Sequence, residues 1–445
     1  MDTAPRVEPA IPDITKMLKP RHQVPGDLLS ADELRIREAV VAAMKADADT
    51  MLEPPEVQRV ADLPKADRQA VLNDGFAMIS TIERTPKGRL WNGWFGGSDG
   101  PMSFMALAKS DDDGETWSRA EYIIRSSPSP HGIPRPIRLG CIWTDPRGRL
   151  WVFFSYCMVN YDGRAGVWAT VCDDPDAELL QWTTPRRIWH GTALNKPTVL
   201  SNGEWMLPIT LWQREYMSGA VSRPSTYFDT GDLCHTDLFR DLDPLRMSHA
   251  FVSTDAGSSW QRRGGVCHPH RCHDEHMFIE LTDGRIWMLD RVHYGYLAEA
   301  FSPDSGWHWG GLGSTSIRCP SSRFFIRKLA SGNLLLVHHD VPESFPGDYS
   351  QGNYFRGRVH LTAWLSDDDG KTWQGGLLLD DERELVASPD GCQAPDGRIY
   401  VTYETTRRTD GGVFLAVFTE NDVLAKRAVT PECRLKRVVR QPNRP

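Results

Sequence analysis

The 445-residue sequence has no long apolar run. No stretch approaches the 18 apolar residues that would mark a membrane-crossing helix. The first residues, Met1 to Leu18, lack the apolar segment of a secretion signal, so a cytoplasmic protein is expected. There is no basic block either. Lys and Arg number 51 against 59 Asp and Glu, for a net charge of −8. That excludes a nucleic-acid footprint and favours solubility. The nine cysteines are odd in number, scattered, and never spaced as CxxC, which reads as free thiols in a reducing compartment. Neither nucleic acid nor membrane is expected as a partner, and assembly into a homo-oligomer stays open.

What the sequence does have is tryptophan, 16 of them, mostly set beside Gly and Asp in short recurring phrases. One phrase is an apolar strand, a tight turn closed by Gly, and a second apolar strand. It appears as Glu83-Arg84-Thr85-Pro86-Lys87-Gly88-Arg89-Leu90-Trp91 and returns as Trp143-Thr144-Asp145-Pro146-Arg147-Gly148-Arg149-Leu150-Trp151. Looser copies place their glycine at Gly203, Gly284, Gly332 and Gly397. Each glycine supplies the positive φ that a hairpin turn needs. Six copies at blade-sized spacing predict an all-β fold, a six-bladed β-propeller.

A second phrase follows later in most repeats. Ser110-Asp111-Asp112-Asp113-Gly114-Glu115-Thr116-Trp117 and Ser366-Asp367-Asp368-Asp369-Gly370-Lys371-Thr372-Trp373 are full copies. The stretches from Ser253 to Trp260 and from Ser302 to Trp309 keep its Ser, Asp, Gly and Trp, and Cys172 to Trp182 looks like a decayed copy. This is an Asp-box. Its carboxylate can take backbone amides across a hairpin turn while the Trp packs below, so its role is expected to be structural.

Residues 1–75 read differently. Ser30-Ala31-Asp32-Glu33 fits a capping box, followed by a helical stripe through Leu34, Ile36, Val40, Val41 and Met44. The expected layout is an N-terminal helical extension over 1–75, the propeller over 76–430, and a C-terminal tail over 431–445. Long connections near 213–248 and 340–357 are expected to form loops over one face.

The innermost strand of a blade begins near the central axis. Counting nine residues back from each turn glycine gives Ile79, Leu139, Leu194, Glu275, Arg323 and Ser388. A slip of one or two positions adds Met78, Arg138, Asn195, Lys196, Asp274, His276, Ser322 and Asp390. Charges converging on an axis are costly unless paired or used. The richest stretch runs from His268 to His276. Glu275 opens a strand whose return partner ends at Arg291, before His293 and Tyr294, so one hairpin brings Glu275 and Arg291 to the same end. The spacing of His268, His270, Cys272, His273 and His276 matches no standard zinc pattern, so no metal and no cofactor are expected.

The Asp-boxes, the six repeats and the run Asp274-Glu275-His276-Met277-Phe278-Ile279-Glu280-Leu281-Thr282-Asp283-Gly284-Arg285 resemble the sialidase (neuraminidase) superfamily over about residues 76–430. The resemblance implies a sialidase-like propeller with a carbohydrate substrate. It implies that Glu275 polarises a nucleophile, that Arg291 and Arg358 clamp a substrate carboxylate, and that Asp99 is the acid/base. Two positions depart from the pattern. The first clamp Arg falls on Met78-Ile79-Ser80, and the nucleophilic Tyr falls on Ser388. Tyr294 or Tyr403 could replace it only if the backbone carries one of them to the pocket.

Three readings follow. The first is a glycoside hydrolase for an acidic or modified sugar. It uses Glu275 or Asp274 as base and Asp99 as acid, with Arg291, Arg323, Arg358, Arg138, Lys196 and Asp390 lining the pocket. The second is a uronate lyase using His273, His276 or His293 with Tyr294. The third is a glycan-binding propeller without catalysis.

Overall fold

The computed structural model describes residues 6–7, 53–100, 102–128, 134–158, 163–164, 166–213, 239–271, 273–341, 357–381, 385–405 and 412–441. The helix expected after Ser30 lies outside them, as do most of the two long connections.

Six separate sheets follow one another along the chain, antiparallel except where Arg6–Val7 pairs in parallel with the outer strand Gln261–Val266 of the third. Their innermost strands are Met78–Arg84, Ile137–Thr144, Thr198–Val199, Met277–Glu280, Phe325–Lys328 and Val386–Gln393. We number the blades one to six in that order. Each inner strand runs into its hairpin partner through the glycine turn, with φ between 81° and 104° at Gly88, Gly148, Gly203, Gly284, Gly332 and Gly397. The chain is thus an all-β, six-bladed propeller, as the repeats predict.

Two boundaries differ from expectation. Glu56–Arg59 pairs with Tyr122–Arg125 and gives blade one a fifth, outer strand, so the extension enters the propeller before residue 76. Arg434–Arg440 pairs with Val413–Phe418 as the outer strand of blade six, so the tail is part of a sheet. Both segments are rich in charged and polar residues, which suits a solvent-facing outer strand and conceals it from a search for apolar runs.

Register fixes the two faces of the disc. In blade four, Met277 pairs with Leu289 and Glu280 with Ile286, while Ile286 pairs with Ser302. The Asp-box that opens at Ser302 therefore lies at the opposite end of the blade from Glu275. We call the Glu275 end the upper face.

The Asp-boxes act as hairpin clamps. In blade five, Ser366 Oγ donates to Asp368 and accepts the Gly370 amide, and the Thr372 amide donates to Asp368 at 2.9 Å. These bonds hold the Asp368 carboxyl down at about 2. Gly370 has φ 80°, and a Cβ there would lie 2.6 Å from Trp287 of blade four. Gly257 would meet Trp151 of blade two in the same way. These two turns thus seat on an indole of the preceding blade, while Gly114 and Gly306 meet Leu415 and Ala250 there instead.

The first and last blades share no strand, so side chains close the ring. Thr81 Oγ1 donates to Asp390 at 2.6 Å and Asn92 Nδ2 to Thr402 at 2.9 Å. Near the lower rim, Asp113 of blade one accepts from Arg398, Tyr400 and Arg434 of blade six.

Candidate functional site

The glycine count-back finds the axis. Arg323, fully buried, donates to Leu194 O at 3.0 Å, Ser388 O at 3.3 Å and Asn195 Oδ1 at 2.8 Å, so three of the counted positions meet. Its guanidinium also lies 3.5 Å from Asp390. Lys196 Nζ sits 3.1 Å from Asp390 and 2.7 Å from Glu83, and donates to Gly391 O at 2.8 Å. Burial lowers the Lys196 ammonium, but Asp390 and Glu83 outweigh it and hold the group above its ordinary value. Burial pushes the Glu83 carboxyl up against the pull of Lys196.

This brace plugs the channel. Arg323, Lys196 and Asp390, expected to line the pocket, are instead spent on one another and on backbone carbonyls. The reason is energetic: charges so deeply buried are tolerable only with every donor matched.

Above the brace, the structure gathers a second cluster. Glu275 opens the inner strand of blade four, and Arg291 follows the return strand Ile286–Asp290. Arg291 Nη1 donates to Glu275 Oε2 at 2.9 Å. Arg291 Nε donates to Ser321 Oγ at 3.3 Å, and Arg358 Nη2 to Ser321 O at 3.3 Å. His293 Nδ1 lies 3.2 Å from Ser321 Oγ. Glu275, Arg291, His293 and Arg358 therefore meet around Ser321. That serine has φ 48°, a left-handed turn that offers its hydroxyl and its carbonyl to different arginines. Glu275 Oε1 has no hydrogen-bond partner among the described residues.

Asp99 stands in the loop after the strand Leu90–Gly96, half exposed, and accepts from Arg138 of blade two. A carboxylate from one blade thus meets an arginine from the next.

Three expected site residues lie elsewhere. Asp274 is fully buried, accepting from Arg271 at 3.1 Å and Thr210 at 3.2 Å, and burial raises its carboxyl to about 6. His276 Nε2 donates to His249 O at 2.9 Å, and the ring packs on Phe278 and is pushed down to about 4 by burial. Alternation along the strand entry explains both: Asp274 and His276 share the side opposite Glu275. Tyr294 meets the His270 ring edge-on at 5.3 Å and is half-buried, its hydroxyl pushed above its ordinary value by burial. Tyr403 is also spent, its hydroxyl 3.0 Å from Asp380 inside the core. Neither of these two tyrosines therefore replaces the missing nucleophile.

The two departing positions share a backbone feature. Ile79 and Ser388 have φ 50° and 52°, at irregularities in the pairing of the first and last inner strands. Sequence reasoning missed Glu404, which is fully buried and accepts the Ser80 amide at 3.1 Å. A carboxylate thus stands next to the place where the resemblance puts a clamp arginine. Its only signal is the alternation Thr402, Glu404 inside an otherwise apolar strand. Ser321 is signalled only by the break in strand pattern at Cys319-Pro320-Ser321-Ser322.

The described residues hold no group of three or more His, Cys, Asp or Glu arranged for a metal ion. No helix among them is long and apolar enough to cross a membrane. Seven cysteines are described, all free.

Residues 88–401 match the BNR repeat-like domain family. No curated protein matches the chain. Among solved structures it is similar to the Hadza microbial sialidase Hz136, with TM-score 0.55 and 16% identity over 79% of this chain and 67% of that one. It is similar to the intramolecular trans-sialidase of Ruminococcus gnavus, with TM-score 0.55 and 11% identity over 81% and 97%. A protein of unknown function from Dyadobacter fermentans gives TM-score 0.52 and 13% identity over 74% and 91%.

Proposed function

The chain belongs to the BNR repeat-like domain family, and from that premise we propose that its upper face is a glycan site. We propose further that the protein is a sialidase-like glycoside hydrolase acting on an acidic or modified sugar.

The observation that carries this reading is the Glu275–Arg291 pair at 2.9 Å, with Arg358 and His293 drawn to the same serine. Two guanidinium groups can hold a sugar carboxylate through paired hydrogen bonds. Glu275 keeps one oxygen unpartnered among the described residues, beside a positive neighbour, and can take a proton from water. Asp99 is exposed enough to reach a glycosidic oxygen.

Ser388 occupies the nucleophile position, with its carbonyl committed to Arg323. A direct route then runs through water. Its oxygen bonds to the anomeric carbon as the glycosidic bond breaks. Glu275 takes the proton from the water, and Asp99 gives its proton to the leaving oxygen. This route inverts configuration and calls for carboxyl groups about 6.5–9.5 Å apart.

One observation favours a second reading, glycan binding without turnover: both the first clamp Arg and the Tyr are absent. The lyase reading loses its pairing of His276 with Tyr294, since His276 points away from Glu275.

A screen with aryl glycosides of sialic acid, uronic acids and neutral sugars, run beside a binding measurement on the free sugars, tests the proposal. Release of the aryl group from an acidic glycoside supports the hydrolase. Saturable binding with no release supports the second reading, and neither result removes the glycan site.

A further inference from the structure

A second cavity lies at the lower mouth of the channel, below the brace. Its volume is about 260 Å³, and its polar lining comes from Glu83, Arg84, Thr144, Arg327, Lys328 and Gln393. These residues belong to the far ends of the inner strands of blades one, two, five and six. The cavity therefore faces away from Glu275.

The lining is unbalanced in charge. Glu83 is its only carboxylate, and Lys196 already holds that group at 2.7 Å. Arg84 makes no side-chain hydrogen bond or ion pair among the described residues, and its Nε is shielded from water. Among the described residues Arg327 donates only to Pro197 O, at 3.2 Å, and Lys328 only to Glu280 O, at 3.4 Å, and neither meets a carboxylate within ion-pair distance. Thr144 Oγ1 is likewise buried with no hydrogen-bond partner. Nearby Asp396 is committed to Arg398 at 2.7 Å.

A shielded guanidinium nitrogen and a shielded hydroxyl without partners each cost stability. An oxyanion in the cavity would meet the guanidinium edges that line it, and would reach the shielded Nε and Oγ1 only once those side chains turn toward it. A tetrahedral group can take the planar fork of an arginine, a hydroxyl and a second cation at once. The volume exceeds that of a bare phosphate and leaves room for a small organic group.

We propose that the lower mouth is a binding site for a small phosphorylated or sulfated compound, with Arg84, Arg327 and Thr144 contacting the oxyanion and Lys328 at its rim. This site is independent of the upper-face chemistry.

Isothermal titration calorimetry of the full chain with inorganic phosphate and with sulfate, at constant ionic strength, tests it. Melting curves with each anion run in parallel. Saturable heat and a saturable rise in melting temperature are expected. Arg84→Gln and Arg327→Gln should each weaken binding about tenfold or more. Glu275→Gln should bind as the wild type does, so failure here is separable from failure of the hydrolase reading. If Arg84→Gln does not fold, Thr144→Val and Arg327→Gln carry the test. Absence of saturable heat in the wild type overturns the proposal, as does unchanged binding in the cavity variants. Preference between phosphate and sulfate would indicate which ester the site takes.

Discussion

Arg291 Nη1 lies 2.9 Å from Glu275 Oε2, and the two residues are almost wholly withdrawn from water. A single hairpin brings them together, since Met277 pairs with Leu289 directly below. Removing either charge would leave the other buried and unmatched. The pair is therefore both a piece of the fold and the centre of the proposed site.

The upper-face and axial arginines should separate by assay. Arg291→Lys and Arg358→Lys keep the charge but lose the fork, so each should raise KM for an acidic substrate about tenfold or more. Arg323→Lys should instead lower the melting temperature and leave KM near the wild-type value, because Arg323 spends its donors on Leu194, Asn195 and Ser388. Steady-state kinetics beside thermal melts distinguishes the two patterns.

The axial brace should be costly to break. Lys196→Met leaves Glu83 and Asp390 facing each other without their shared cation. A loss on the order of 3–5 kcal/mol is expected. Asp113→Ala, at the more exposed rim between blades six and one, should cost about 1–3 kcal/mol. Urea unfolding of both variants gives the comparison.

Acid should destabilise the protein before its carboxylates titrate. Burial holds His249, His268 and His339 down at about 3, and His276 and His338 at about 4. These groups stay neutral when folded but take protons near 6.5 when unfolded. Their contribution is present above pH 6.5 and is lost as pH falls toward 3–4. Asp274, raised to about 6, acts in the opposite sense: its contribution favours the fold below about 4 and is lost as pH rises through 6. Five histidines outweigh the two raised carboxyls, Asp274 and Glu83, so the melting temperature should fall between pH 7 and 4. His339→Asn should flatten that slope in melts across the pH range.

The sequence made the repeating parts plain. The turn glycines and Asp-boxes recur because each blade solves the same local problem, and local problems leave local signatures. Glu275 and Arg291 were legible for the same reason, being two ends of one hairpin. The difference between Arg323 and Arg358 was not. Arg323 is spent on Leu194, 129 positions away, and a single sequence carries no mark of that distance. Asp274 and Glu275 are neighbours in sequence, yet one faces the cluster around Ser321 and the other the packing beneath. Only the register of the strand entry separates them. Glu404 was hidden inside a strand that reads as apolar.

If water is the nucleophile, the product should first appear with inverted configuration. Proton NMR of an early reaction on the active aryl glycoside reads the anomer directly. Ser388→Ala should leave turnover within a few fold of the wild type, because Ser388 serves through its carbonyl.

The most direct test is the turnover of Glu275→Gln on that glycoside. Glutamine keeps the shape of the side chain and a hydrogen-bond acceptor for Arg291, and a matching melting curve would show the fold intact. The account predicts a fall in kcat of about 10²–10⁴-fold, the range for loss of a general base. Wild-type turnover in a folded Glu275→Gln protein would contradict it and place the chemistry away from the Glu275–Arg291 pair.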